Sequence, residues 1–162
     1  MKRMLTSFIG LTLCFLALSQ ATAAAQNNPI DDTAFYVEQL YFDVLGRAPD
    51  SGGLAAWTNY INQCGSDPTC LNQHRITTAR GFIESPEFKS GNPTLRDYPP
   101  DSVPYNQEYV RQLYRRLLQR EPEGNPDMFD NPWFAYITTH PGDYDTLVGG
   151  FINSSEYRNR FA

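Results

Sequence analysis

Histidine is scarce in this sequence, and with it the usual acid–base chemistry. Only His74 and His140 are present, and neither stands in a nucleophile or metal-hydrolase pattern. There is no G-x-S-x-G elbow and no H-E-x-x-H pair. Surface or capping roles are expected for both rings. Carboxylate pairs such as Asp127/Asp130 and Asp143/Asp145 fall where helices should start, so capping explains them better than hydrolysis. The chain reads as non-enzymatic.

Basic charge is scarce too. Of the 13 Lys and Arg side chains, Lys2 and Arg3 lie at the N-terminus, and the other 11 face 18 acidic ones, a balance of −7. Nucleic acid as a partner is excluded on that balance, because its affinity rests on neutralised phosphates. After residue 25 no apolar run is long enough to span a bilayer. No alternating run marks a strand either.

What the N-terminus does hold is a secretory leader, expected over residues 1–25. Lys2 and Arg3 form its basic start, "MLTSFIGLTLCFLAL" its apolar centre, and "ATAAA" the small residues for cleavage. A retained anchor is the alternative. Cleavage leaves about 137 residues, enough for one compact core or two small units sharing one. The expected location is secreted, periplasmic or cell-surface, with no membrane-spanning segment after cleavage.

Cysteine is sparse: Cys14 lies in the leader, and Cys64 and Cys70 bracket "CGSDPTC". In an oxidising compartment these two are expected to pair. Asp67 is placed to cap a helix and Pro68 to begin it, so the bond would staple a helix–helix corner. Two sulfurs alone make no structural zinc site, and the spacing is not C-x-x-C.

Helical rhythm is abundant. Apolar residues fall at 37, 40, 41, 44 and 45, and again at 110, 113, 114, 117 and 118. The likeness extends further. "WTNYI" (57–61) returns as "WFAYI" (133–137), and "GFIESPEF" (81–88) returns as "GFINSSEY" (150–157). The expected fold is all-α: a duplicated three-helix unit with short capped tail helices, forming a helical bundle. Expected helices are 32–46, 52–63, 68–84 and 86–90, then 107–119, 128–139, 143–153 and 155–160. The first repeat occupies 26–90 and the second, degenerate one 107–162. The segment 91–106 carries four prolines and is expected to break regular structure while draping over the bundle, given Leu95, Tyr98, Val103 and Tyr105. Asp31, Asp32 or Thr33 should cap the first helix and Asn106 its counterpart.

The corner "LGRAPDSGGLAAW" (45–57) reads as a joint. Gly46 and Pro49 end one helix, Asp50 caps the next, and Gly52–Gly53 permit a close turn. Oxygens of Asp50 and Ser51 beside a glycine also raise calcium. The alternating ligands and closing glutamate of an EF-hand are missing, so capping is preferred and no cofactor is expected.

Taken together, "YVEQLYFDVLGRAPDSGGLAAW", "CGSDPTC" and "GFIESPEF" resemble a bacterial family classed as a domain of unknown function. Its signature is LYxxxLGRxPDxxGLxxW…GFxxSxEF. In the second copy Gln119 replaces the glycine of LGR. The resemblance implies an all-helical exported module, since members look like surface-layer and calcium-repeat proteins, some beside glycan-handling domains. It implies no catalytic residues. Residues 149–161 are also similar to the end of phycobilisome linker domains, which are helical assembly modules.

Two sets of candidate contacts follow. Trp57 with Tyr60, and Trp133 with Tyr136, stand one helical turn apart and would either stack on sugars or fill the core. Loop aromatics Tyr98, Tyr105 and Tyr144 are equal candidates. Glu38 and Asp43 on one leading helix are answered by Arg111 and Arg116 on the other, with Arg115 and Arg120 beside them. Those faces would dock partners, meet anionic groups of a polysaccharide, or simply be solvated. The expected function is association with cell-envelope or extracellular polysaccharide. Assembly with a surface protein or with further copies is the alternative, and a secreted hydrolase-associated domain the second.

Overall fold

The computed structural model describes residues 27–124 and 130–162. The expected leader, Asp127 and the expected helix start at 128 lie outside them. The described residues form helices and no strand, the all-α architecture expected. After a short turn at Pro29–Asp31 come α1 (Thr33–Leu40), which runs into a π turn (Tyr41–Leu45), α2 (Ser51–Asn62) and α3 (Pro68–Ile83). Next are α4 (Pro86–Ser90), α5 (Pro93–Asp97) and α6 (Val103–Leu117). The chain ends with α7 (Pro132–Thr139), α8 (Tyr144–Ile152) and α9 (Ser155–Asn159).

Short polar side chains start most of these helices by accepting the first free N–H groups. Asp32 accepts from Phe35 at 2.8 Å, Asp50 from Gly53 at 2.7 Å and Asp67 from Thr69 at 2.9 Å. Ser85 accepts from Phe88 and Ser154 from Tyr157, at 3.1 and 3.0 Å. Left-handed residues stop two of them. Gly46 has φ +67° after the π turn, and Gln119 holds φ +58° after α6. At both stops the next N–H, of Arg47 or Arg120, reaches back to the carbonyl of Tyr41 or Tyr114 at 3.3 Å.

Three expectations change here. The prolines of 91–106 do not abolish helix: Pro93 opens α5, and Pro104 sits in the first turn of α6, where a missing N–H costs nothing. That helix therefore begins at Val103, and Asn106 lies inside it, buried, accepting from the Tyr144 hydroxyl at 2.6 Å rather than capping. Leu95 and Tyr105 are buried as a draped segment requires, but Tyr98 and Val103 stand about half exposed. Gly52 and Gly53 stand in the opening turn of α2, within the expected helix 52–63.

A single hydrophobic core draws on both halves of the chain: Val37, Leu40 and Ile83 from one, Val110, Leu113 and Leu147 from the other. α3 packs along α8, where Ile76 closes on Gly149 so tightly that an added Cβ would stand 3.0 Å from it. The chain end then returns to the beginning. Arg158 forks onto Asp31 at 2.6 and 2.9 Å, and the Asn28 amide donates to the Arg158 carbonyl at 2.8 Å.

Candidate functional site

The corner at 45–57 is a set of interlocking contacts. Arg47 donates to Glu87 through Nε at 2.6 Å and Nη2 at 3.0 Å, while its guanidinium lies 4.9 Å over the Tyr41 ring. A Cβ added to Gly53 would come within 2.1 Å of the Tyr41 hydroxyl, so that glycine serves close approach rather than turn freedom. Trp57 lies over Gly81, where an added Cβ would be 2.9 Å from the ring. Each residue of the motif thus answers another: tyrosine to glycine, arginine to glutamate, tryptophan to glycine.

The second half repeats these geometries. Arg120 forks onto Glu156 and lies 4.9 Å over Tyr114; Trp133 covers Gly150. Trp57 and Phe82 are 5.7 Å apart at 40°, Trp133 and Phe151 5.6 Å at 39°. Both tryptophans are half-buried and packed on the core, so their rings serve the bundle interior.

The four candidate arginines are each engaged within the chain. Arg111 pairs with Glu108 at 2.6 Å and Arg115 with Glu121 at 2.7 Å. Arg116 donates to Gln112 at 3.1 Å and lies 5.4 Å over Phe88, while Arg120 is held by Glu156. Asp43, expected on an outer face, is instead buried at 9% exposure and receives two bonds of 2.9 Å from Arg160. The π turn rotates it inward, and the opposed-charge picture loses that member.

Cys64 and Cys70 are joined, with Cα atoms 5.4 Å apart. His74, one turn beyond Cys70, completes a cluster whose ligand atoms lie within 4.8 Å of one another. With the sulfurs bonded to each other the cluster is a staple, and the imidazole is placed by Tyr60. It stacks on that ring at 4.1 Å and 6°, with Nδ1 2.8 Å from the Tyr60 carbonyl. His140 makes the same stack on Tyr136, at 4.3 Å and 10°, without any cysteine beside it. Asp50, raised above for calcium, spends one oxygen on the Gly53 N–H and sets the other 3.6 Å from Arg47. A cap beside a cation is the wrong surrounding for a calcium ligand.

The residues that do converge on open space join Tyr98 to side chains outside the candidate set. A cleft of about 730 Å³ runs between α4, α5 and the start of α6, with Glu84, Lys89, Asp97, Tyr98 and the pair Pro99–Pro100 on its walls. Tyr98 is 49% exposed, among the most exposed large hydrophobic side chains described. Pro99 and Pro100 prevent α5 from continuing and hold Tyr98 in extended backbone. Beneath it Tyr105 is buried, its hydroxyl pushed up to about 12 by that burial and by Glu84. Lys89 lies 5.6 Å over the Tyr105 ring. Of the other loop aromatics considered, Tyr144 is buried and hydrogen-bonded to Asn106. The sequence signal for the cleft was an aromatic before a proline pair; which acids join it depends on tertiary packing. A flat aromatic flanked by carboxylates and an ammonium can stack on a sugar ring and exchange hydrogen bonds with hydroxyls.

Residues 16–92 match a family described as a domain of unknown function, DUF4214. The match spans just under half of the chain and includes the corner, the cysteine loop and α4. No curated protein and no solved structure matches the chain significantly.

Proposed function

We propose that the protein is an exported, non-enzymatic module, built from two copies of one helical unit, that associates with cell-envelope or extracellular polysaccharide. The cleft between α4, α5 and α6 is its sugar-binding surface. The observation that carries this reading is Tyr98, an aromatic left about half exposed at the 730 Å³ cleft between two anchors of its segment, Leu95 and Tyr105, that are buried in the core. A pyranose C–H face suits the exposed ring of Tyr98, which offers apolar area and a hydroxyl at little ordering cost. Glu84 and Asp97 are already held by Arg80 and Arg96, and their remaining lone pairs would accept from sugar hydroxyls, with Lys89 as a donor.

The leader-like N-terminus supports export, as does the Cys64–Cys70 bond, because disulfides persist in oxidising compartments. Recurrent corner geometry in both halves supports duplication. Cosedimentation of the purified protein with native envelope polysaccharide tests the function. Retention in the polymer fraction is expected, and its absence in every preparation, with and without calcium, contradicts it.

A further inference from the structure

A third metal-ligating side chain stands at the corner stapled by Cys64 and Cys70. The chain leaves α2 at Asn62 and enters α3 at Pro68, so the two cysteines face each other across a tight bend, their Cα atoms 5.4 Å apart. His74 lies one helical turn beyond Cys70, and one of its ring nitrogens and the two sulfurs are all within 4.8 Å of one another. The three residues are partly exposed, and residues 65–69 between the cysteines are fully so, which leaves the cluster open to solutes.

The imidazole is already set as a ligand. Its Nδ1 stands 2.8 Å from the Tyr60 carbonyl, and a carbonyl only accepts, so Nδ1 carries the proton and Nε2 keeps its lone pair. A backbone carbonyl behind one ring nitrogen is a common means of orienting a metal-bound histidine. Stacking on Tyr60, at 4.1 Å and 6°, fixes the plane of the ring. The other half of the chain offers an internal comparison: His140 stacks on Tyr136 at 4.3 Å and 10°, and no cysteine occurs there. The stack therefore belongs to the fold of both halves, and the sulfurs are what the first half adds.

Those sulfurs can serve a bond or a metal, never both. Exchange with a dithiol opens the bond to two thiols and oxidises the dithiol to its own disulfide. A divalent metal that takes the two sulfurs as thiolates releases their two protons. Around tetrahedral zinc, with Zn–S near 2.3 Å, two sulfurs stand about 3.8 Å apart. Cysteines with Cα atoms 5.4 Å apart reach that separation by side-chain rotation. Two thiolates and an imidazole select zinc over magnesium or calcium, which prefer oxygen.

We propose that the reduced corner is a zinc site, with Cys64, Cys70 and His74 as its protein ligands and water in the fourth position. The disulfide is the closed state of this redox-gated site, and bound zinc keeps the corner reduced.

The test is titration of the purified protein with Co(II) and then Zn(II), in the oxidised form and after anaerobic phosphine reduction. Reduced wild type is expected to bind one Co(II) per chain, with a thiolate-to-cobalt charge-transfer band that Zn(II) abolishes. The oxidised protein should show no such band. His74→Asn should weaken binding at least about tenfold, since losing even an outer partner of a metal ligand costs that much. His140→Asn should bind like wild type. In reduced wild type, Zn(II) should also shield His74 from diethylpyrocarbonate while His140 stays reactive, a readout that needs no variant. The proposal is overturned if reduced wild type gives no charge-transfer band, or if the oxidised protein binds Co(II) as tightly as the reduced one. It is equally overturned if His74→Asn binds as tightly as His140→Asn, or if Zn(II) leaves His74 unshielded.

Discussion

Arg47 and Glu87, forty positions apart, close a two-bond fork at 2.6 and 3.0 Å that ties the end of the π turn to α4. Planar guanidinium geometry is what makes the fork, and a lysine cannot reproduce it. Arg47→Lys is therefore expected to lower the melting temperature more than Arg96→Lys, whose partner Asp97 is its chain neighbour and ties nothing distant. Equal effects in thermal denaturation would remove the fork from the account.

Gly53 exists to admit the Tyr41 hydroxyl. Gly53→Ala should cost about 1–3 kcal/mol through overpacking. Adding Tyr41→Phe, which removes the clashing oxygen, should recover part of the loss. Denaturant titration of the single and double variants measures the coupling, and strict additivity would contradict the contact. By the same geometry Gly150→Ala, with a Trp133 ring atom 2.1 Å from the added Cβ, should be worse than Gly81→Ala, with Trp57 at 2.9 Å.

Asp43 and Arg160 form an ion pair with only 7% and 20% of their side chains exposed. Removing one partner strands the other in the interior, so Asp43→Asn should destabilise by about 2–4 kcal/mol. Deletion of the last three residues should act alike, because Arg160 is the link between the chain end and the π turn. Equilibrium unfolding checks both.

Acid should loosen the fold before base does. Hydrogen bonds from Arg158, Arg47 and Arg120 hold Asp31, Glu87 and Glu156 below their usual 3.8, 4.5 and 4.5. A carboxyl whose folded pKa is depressed stabilises above its unfolded value, and the contribution is lost as pH falls through the folded one. Burial raises Tyr36, Tyr109 and Tyr144 above 10.0, so their contribution is present below that value and lost as pH climbs past the folded pKa. Melting temperature against pH should show a plateau from about 5 to 9, falling on the acid side below about 4.5. A single maximum near pH 7 with steep flanks would disagree.

Reduction of Cys64–Cys70 opens a short loop between two helices that the core already packs. The expected cost is about 2 kcal/mol, or roughly 5–10 °C, with the helical signal kept at room temperature. Unfolding on reduction would mean that the staple carries more of the fold than its loop length allows.

Helix spacing was legible because it follows from the 3.6-residue stripe, and the caps at Asp50 and Asp67 because short acceptors before a helix have few other uses. The cysteine staple was legible from the same cap and Pro68. Asp43 was not, because a π turn shifts the face on which a residue lies, and no periodicity announces it. Asn106 misled for a related reason: its side chain is spent on Tyr144, a partner 38 positions away. Trp57 and Trp133 could be read either as sugar platforms or as core, and only the glycines beneath them, Gly81 and Gly150, decide. Tyr98 is one aromatic among several in the sequence, and only the cleft sets Glu84, Lys89 and Asp97 beside it.

The most direct measurement is the affinity of native envelope polysaccharide for wild-type protein, Tyr98→Ala and Arg115→Ala, the last altering an exposed ion pair away from the cleft. Loss of one stacked aromatic face should weaken binding about tenfold in Tyr98→Ala, with Arg115→Ala like wild type. Equal affinity in all three proteins, or none in any, would contradict the proposed surface.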